Sequence, residues 1–190
     1  MLYLDTFCSH SIIVWDMNNY AFIDGINLHL TYENLDWKLN YRKLRIYLEK
    51  RHSVKIAYYF LGFVERNWRL YEDLEAYGYK LKFRDISRKT TDEEGCPYCG
   101  KCIKPEQIKI KCDCDADITL KVLDDIGNYD KAIIITSDGD FDNLVRRLIN
   151  LNKLRLVLAP CKEGCSKLLK EASLGRISFL DEFKDELKIT

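Results

Sequence analysis

The apolar positions along the chain form short runs that alternate with amphipathic segments. Runs rich in β-branched and aromatic residues predict buried strands, whereas apolar residues that recur every three or four positions predict helices. A first strand begins at residue 21 and opens into a loop at Asp24. Further strands are predicted at 54–63, 79–86, 132–136, 154–159 and 177–180. Helices are predicted at 40–52, 65–77, 115–126, 141–151 and 166–174.

This alternation of strands and helices is typical of a parallel, doubly wound α/β sheet with right-handed crossovers. Apolar and polar residues alternate strictly in the strand at 79–86. This pattern predicts a strand with one solvent-exposed face that lies near the edge of the sheet. An insertion at about 88–114 interrupts the alternation of strands and helices. We therefore predict one domain over 21–190, interrupted by this insertion and preceded by an N-terminal arm over 1–20.

Charge and hydropathy exclude several classes of protein. The 30 basic and 30 acidic side chains cancel, which argues against a nucleic-acid binder driven by net charge and leaves room for a local basic patch. No apolar run approaches the roughly 20 residues that span a bilayer. The first residues lack the cationic and apolar regions of a secretory signal, so we expect a cytoplasmic protein without membrane contacts.

Aspartates accumulate where two predicted strands end. Asp24 follows the first strand, and Asp138 and Asp140 follow the strand at 132–136. Residues 113–142 hold nine aspartates against two lysines, a crowding that a divalent cation relieves. Any one of these aspartates could instead cap a helix. The placement of two of them at the ends of buried strands favours a metal site.

Three segments resemble the NYN domains, which are PIN-like metal-dependent nucleases. Residues 22–28 (FIDGINL) are similar to the F-I-D-G-x-N-L opening of that family. Residues 137–141 (SDGDF) are similar to its S-G-D-G-D-F segment, with one glycine absent, and residues 111–120 resemble its K-G-x-D helix start. The segments occur in the family's order, and the resemblance covers roughly residues 20–182.

The resemblance implies a PIN-like Rossmannoid three-layer sandwich with a mainly parallel sheet. It implies an endoribonuclease that hydrolyses RNA phosphodiesters with a metal-activated water. By motif position, Asp24, Asp115 and Asp138 would bind Mg²⁺ or Mn²⁺. Asp140 would be a fourth acid near the site, and Asn27 would hydrogen-bond a ligand water or a phosphate.

One position departs from the family pattern and keeps a second function open. Family members often carry another acid six residues after the helix-start acid, where this chain has Lys121. Asp117 lies two positions after Asp115, and side chains two positions apart on a helix point about 200° away from each other. Asp117 is therefore not expected to replace the missing acid. The number of metal ions is therefore open. The alternative function is a catalytically weak or inactive module that binds RNA or a protein partner.

Five of the eight cysteines fall within 19 residues of the insertion. They are Cys96, Cys99, Cys102, Cys112 and Cys114. In a reducing compartment this spacing favours a structural Zn²⁺ bound by four thiolates over reducible thiols. Cys96, Cys99 and Cys112 are the firmest ligands, and either Cys102 or Cys114 completes the set. The cysteines Cys161 and Cys165 are predicted to be buried thiols.

The insertion and the strand before it are basic. Residues 79–112 carry nine Lys or Arg against five acids. Beside an acidic metal site, such a lobe would follow the phosphates of RNA, although an ordinary solvated surface has the same composition. We therefore expect RNA as the partner. The sequence also leaves a homodimer open.

Overall fold

A computed structural model describes residues 17–84, 87–89, 109–111 and 114–189. The strands are β1 (Asn19–Asp24), β2 (Val54–Gly62), β3 (Tyr79–Arg84), β4 (Ser87–Lys89), β5 (Lys109–Lys111), β6 (Ala132–Ile135), β7 (Leu154–Ala159) and β8 (Ile177–Phe179). The helices are α1 (Gly25–Asn34), α2 (Tyr41–His52), α3 (Trp68–Ala76), α4 (Asp115–Asp124), α5 (Asp142–Asn150), α6 (Lys167–Ala172) and α7 (Lys184–Leu187). Short 3-10 turns precede α3, α5 and α7.

Six strands form one parallel sheet in the order β3-β2-β1-β6-β7-β8. The strand β1 lies in the middle of the sheet; from there the chain proceeds outward to β3 and later returns to place β6 beside β1. The strand order therefore reverses between β1 and β6. In doubly wound sheets the loops diverge at this switch point and leave a crevice for ligands at the carboxyl ends of the strands. The strands β4 and β5 pair separately and antiparallel.

Helices cover both faces of the sheet and make the three layers. On one face, α2 and α3 bury side chains such as Leu44 and Leu74 against the strands. On the other face, α4 and α5 bury Ile118 and Leu148 in a second apolar cluster. Every residue of β1 is buried, because both of its faces are covered. The predicted α/β sandwich is thereby confirmed.

Besides the strands β4 and β5 of the insertion, two helices differ from the sequence prediction. The segment that begins at Asp24 was expected to be a loop, yet it forms α1 with Asp24 as its N-cap. Only Gly25, Leu28 and Tyr32 of this helix are buried, so its apolar repeat is too short to stand out. The short helix α7 also escaped prediction. By contrast, β3 is an edge strand as expected.

The described residues were also searched for membrane spans. None of their helices is long and apolar enough to cross a bilayer.

Candidate metal centre

Three carboxylates converge at the switch point of the sheet. Asp115, Asp138 and Asp140 each offer one oxygen, and these oxygens lie within 4.8 Å of one another. Asp138 and Asp140 follow the carboxyl end of β6, and Asp115 is the first residue of α4. A crossover helix runs antiparallel to the strands, so its first residue lies at the carboxyl edge of the sheet. We call these three residues the acidic group.

Backbone hydrogen bonds hold the turn that carries two members of the acidic group. Asp138 Oδ1 accepts a hydrogen bond from the backbone N–H of Asp140 at 3.1 Å. The backbone N–H of Asp138 donates to Thr136 Oγ1 at 3.2 Å. The bond from Asp140 thus orients the Asp138 carboxylate, whose second oxygen has no part in these bonds.

Gly139 lies in the middle of this turn, close to Ser166. A Cβ on Gly139 would lie 2.5 Å from Ser166 Oγ and 3.3 Å from Ser166 Cβ, so a larger residue would force the serine side chain to rotate. Ser166 is also bonded to the turn, because its backbone N–H donates to the carbonyl of Ser137 at 3.0 Å. The glycine thus lets the segment before α6 pack directly against the acidic group.

Asp24 lies beside the acidic group but is not a member of it. Its side chain is only 6 % exposed. Oδ1 accepts a hydrogen bond from the backbone N–H of Asn27 at 3.0 Å, and Oδ2 accepts one from Thr136 Oγ1 at 3.1 Å. Burial raises the pKa of Asp24 above 3.8, and the nearby Asp138 adds to the rise despite these hydrogen bonds. A cation nearby would favour its charged form.

Asn27 links the two strands that flank the switch point. Its Oδ1 accepts hydrogen bonds from the backbone N–H of Ser137 at 2.9 Å and from Ser137 Oγ at 2.8 Å. The contact of Asn27 with a ligand water or a phosphate stays a prediction. Sequence reasoning assigned no role to Thr136 or Ser137. The only available signal was two hydroxyl residues between an apolar strand and the acids.

Lys121 and Asp117 both point away from the acidic group. Lys121 Nζ lies 3.0 Å from Asp125 Oδ1 and 5.0 Å from the centre of the Tyr58 ring. The hydrogen bond to Asp125 raises the pKa of Lys121. Asp117 pairs with Arg84 at 2.6 Å, consistent with its expected direction on the helix. Neither side chain extends the acidic group.

Most of the predicted zinc ligands lie outside the described residues. These are Cys96, Cys99, Cys102 and Cys112. Cys114 is described, and it is 2 % exposed within the apolar cluster under α4. The zinc site therefore stays a prediction. Cys161 and Cys165 are buried as predicted.

Comparison with known proteins decides the family. A family model described as the NYN domain matches residues 11–178. The chain belongs to the NYN family. Proteins of this family are generally nucleases, and the acidic group of this chain could bind a metal ion as in PIN-like nucleases.

A crystal structure of a Vibrio parahaemolyticus protein of unknown function shares the fold. The TM-score is 0.68 at 17 % identity, over 91 % of this chain and 96 % of that one. At this identity the likeness concerns the fold alone. None of the curated proteins matches the chain significantly.

Proposed function

We propose that this NYN protein is a metal-dependent endoribonuclease. The observation that carries the proposal is the acidic group, three carboxylate oxygens within 4.8 Å at the switch point of a parallel sheet. Three like charges at this separation repel one another, and a divalent cation turns that repulsion into attraction. A family that is generally nucleolytic supplies the reaction class.

The donor set of the acidic group fits Mg²⁺ or Mn²⁺. Both ions prefer carboxylate and water oxygens, and both are commonly held by a few carboxylates together with substrate phosphate. Asp115 and Asp138 would hold the ion, with Asp140 beside them. The chemistry that such a cation supplies is neutralisation of charge on the phosphate and activation of a water for hydrolysis.

The remaining residues of the site position these groups. Asp24 would complete the ligand set from its buried place, where Thr136 and Asn27 fix the direction of its carboxylate. Asn27 holds the loop after β6 through Ser137, so its substitution would displace the acids as well as any contact with substrate.

No protein nucleophile is required for this reaction. His29 is exposed on α1, 3.2 Å from Glu33, and His52 ends α2 at the opposite edge of the sheet from the acids. Neither of these two histidines, which are the ones among the described residues, therefore contacts the acidic group. Hydrolysis by water is the mechanism that the proposal adopts.

A second candidate function is RNA binding without cleavage, and Lys121 favours it. This residue occupies the position of the family's second acid, and its ammonium group is engaged by Asp125. The chain therefore provides one carboxylate fewer than family members that carry this acid. A single metal ion is part of our main proposal, and loss of activity is the alternative.

We also propose that four cysteines of the insertion bind a structural Zn²⁺. Their spacing supports the proposal. Cys96, Cys99 and Cys112 would be three of the ligands, and either Cys102 or Cys114 would be the fourth. Metal analysis of the purified protein should give one zinc per chain in the wild type and in Cys161→Ser, and a loss in Cys99→Ser. Zinc retained in Cys99→Ser would contradict the site.

The decisive experiment is cleavage of a circular single-stranded RNA with Mg²⁺ or Mn²⁺. An endonuclease opens the circle, whereas an exonuclease cannot start on it. Asp138→Asn and EDTA should each abolish cleavage, and Asp73→Asn, which removes an exposed charge on α3, should not. A folded wild type that binds the circle without cutting it would favour the binding module. Light scattering of the same samples tests the homodimer.

A further inference from the structure

The charge of the chain changes sign directly after the acidic group. Residues 113–142 are rich in aspartate, whereas residues 143–176 carry eight Lys or Arg against two Glu. This basic stretch forms α5, β7, α6 and the loops between them. The helix α5 starts just after the 3-10 turn that carries Asp140, and α6 packs on the same turn. The zero net charge of the chain therefore results from an acidic and a basic region that lie next to each other.

The outer face of α5 carries cations and amides and no acid. Positions 143, 146, 147 and 150 recur at intervals of three and four, so they lie along one side of the helix. The buried positions 144, 145 and 148 lie along the other side. All four outer side chains are exposed, and all four have N–H groups that can donate hydrogen bonds. They are Asn143, Arg146, Arg147 and Asn150.

Lys167 extends this face towards the acidic group. It is the first residue of α6, which packs beside α5, and its side chain is 90 % exposed. The residue before it, Ser166, is bonded through its backbone N–H to Ser137 in the loop that leads to the acids. Arg146 lies about 6 Å along the helix axis from the first residue of α5. We call Lys167 and the four outer residues of α5 the α5–α6 face.

Ion pairs within the protein engage these cations only weakly. Arg146 Nε lies 3.7 Å from Asp142 Oδ2, and Lys167 Nζ lies 3.9 Å from Glu171 Oε1. The two cationic side chains are 49 % and 90 % exposed. Ion pairs between exposed groups contribute little to stability, so an external anion can replace either carboxylate at small cost.

We propose that the α5–α6 face binds the phosphate backbone of the RNA and leads the strand to the acidic group. The inference deepens the proposed function and rests on it. The carboxylates of the acidic group repel phosphates, and cations beside them offset this repulsion. Lys, Arg and Asn side chains commonly contact phosphate oxygens, and such contacts position a nucleic acid without reading its bases. We therefore expect affinity to be similar for RNAs of different base sequence.

The salt dependence of RNA binding tests this face without requiring activity. The probe is a fluorescent single-stranded RNA, and its anisotropy is measured in EDTA at several salt concentrations. The variant combines Arg146→Gln, Arg147→Gln and Lys167→Gln. For single strands, each neutralised phosphate contributes about 0.7 to the slope of log affinity against log salt, so the slope should become shallower by about 2. At about 0.1 M salt, affinity should fall roughly 10- to 100-fold.

A matched control removes the same charge from the opposite face of the sheet. Arg42, Lys50 and Arg51 are exposed on α2, and their joint replacement by Gln should leave both the affinity and the slope unchanged. Arg146→Lys combined with Arg147→Lys should retain the wild-type slope, because the charges remain. Thermal unfolding should show that all variants are folded.

The outcomes separate this inference from the proposed function. An unchanged slope in the α5–α6 variant, or an equal change in the α2 variant, would overturn the inference alone. If the wild type neither binds the RNA in EDTA nor cuts the circular RNA with Mg²⁺ or Mn²⁺, the proposed function fails with it.

Discussion

Neutralising one member of the acidic group should stabilise the protein in the absence of metal. Asp138→Asn keeps a side-chain oxygen for the backbone N–H of Asp140 and removes one charge. At 4.8 Å each repulsion is worth about 0.9 kcal/mol in water, and Asp138 has two such neighbours. Screening at physiological salt reduces the sum to roughly 1 kcal/mol. For a chain of this size that corresponds to an increase in Tm of about 2–4 °C.

Thermal unfolding in EDTA and in Mg²⁺ measures this prediction. In EDTA, Asp138→Asn should unfold at a higher temperature than the wild type. In Mg²⁺ the order should reverse, because a ligand at 100 times its Kd stabilises the native state by about 2.7 kcal/mol. Asp73→Asn should follow the wild type in both buffers, since surface charges contribute little. The reasoning would be refuted if Asp138→Asn had a lower Tm than the wild type in EDTA, or if Mg²⁺ raised the Tm of the variant as much as that of the wild type.

Substitutions at three further positions test other parts of the structure. Gly25→Ala should lower the free energy of unfolding by about 1–3 kcal/mol in denaturant titrations, because its Cβ would lie 2.5 Å from the carbonyl oxygen of Phe60. Lys121→Met should lower it by about 1–3 kcal/mol, because the buried Asp125 loses its cation, and Lys121→Asp should lower it further, because it adds a like charge one helical turn away. Unfolding midpoints that match the wild type would contradict either estimate. Burial lowers the pKa of His52 below 6.5, so the unfolded chain binds the proton first as the pH falls. The free energy of unfolding should therefore decrease as the pH drops through 6.5. This decrease should be smaller in His52→Gln.

Local pattern was sufficient for most elements of the fold. A strand buried on both faces, such as β6, is a continuous apolar run, and an edge strand, such as β3, alternates. Both patterns arise because each side chain of a strand is either covered by a helix layer or exposed to solvent. The helix α1 lacked such a pattern, because few of its residues touch the core, and its N-cap at Asp24 was interpreted as a loop.

Aspartates at the ends of strands could also be identified from the sequence, and with them the edge of the sheet where a site should lie. Which of the carboxylates meet was decided only by the tertiary structure. It brings Asp140 into the acidic group with Asp115 and Asp138, and it leaves Asp24 buried beside them with both oxygens hydrogen-bonded. A cleft lined by Lys82 of β3 and Lys121 of α4 likewise exists only because these two elements, distant in sequence, lie side by side. Periodicity along the chain indicates which face of a helix or strand is buried. Contacts between residues distant in sequence depend instead on strand order and crossovers, which no local pattern encodes.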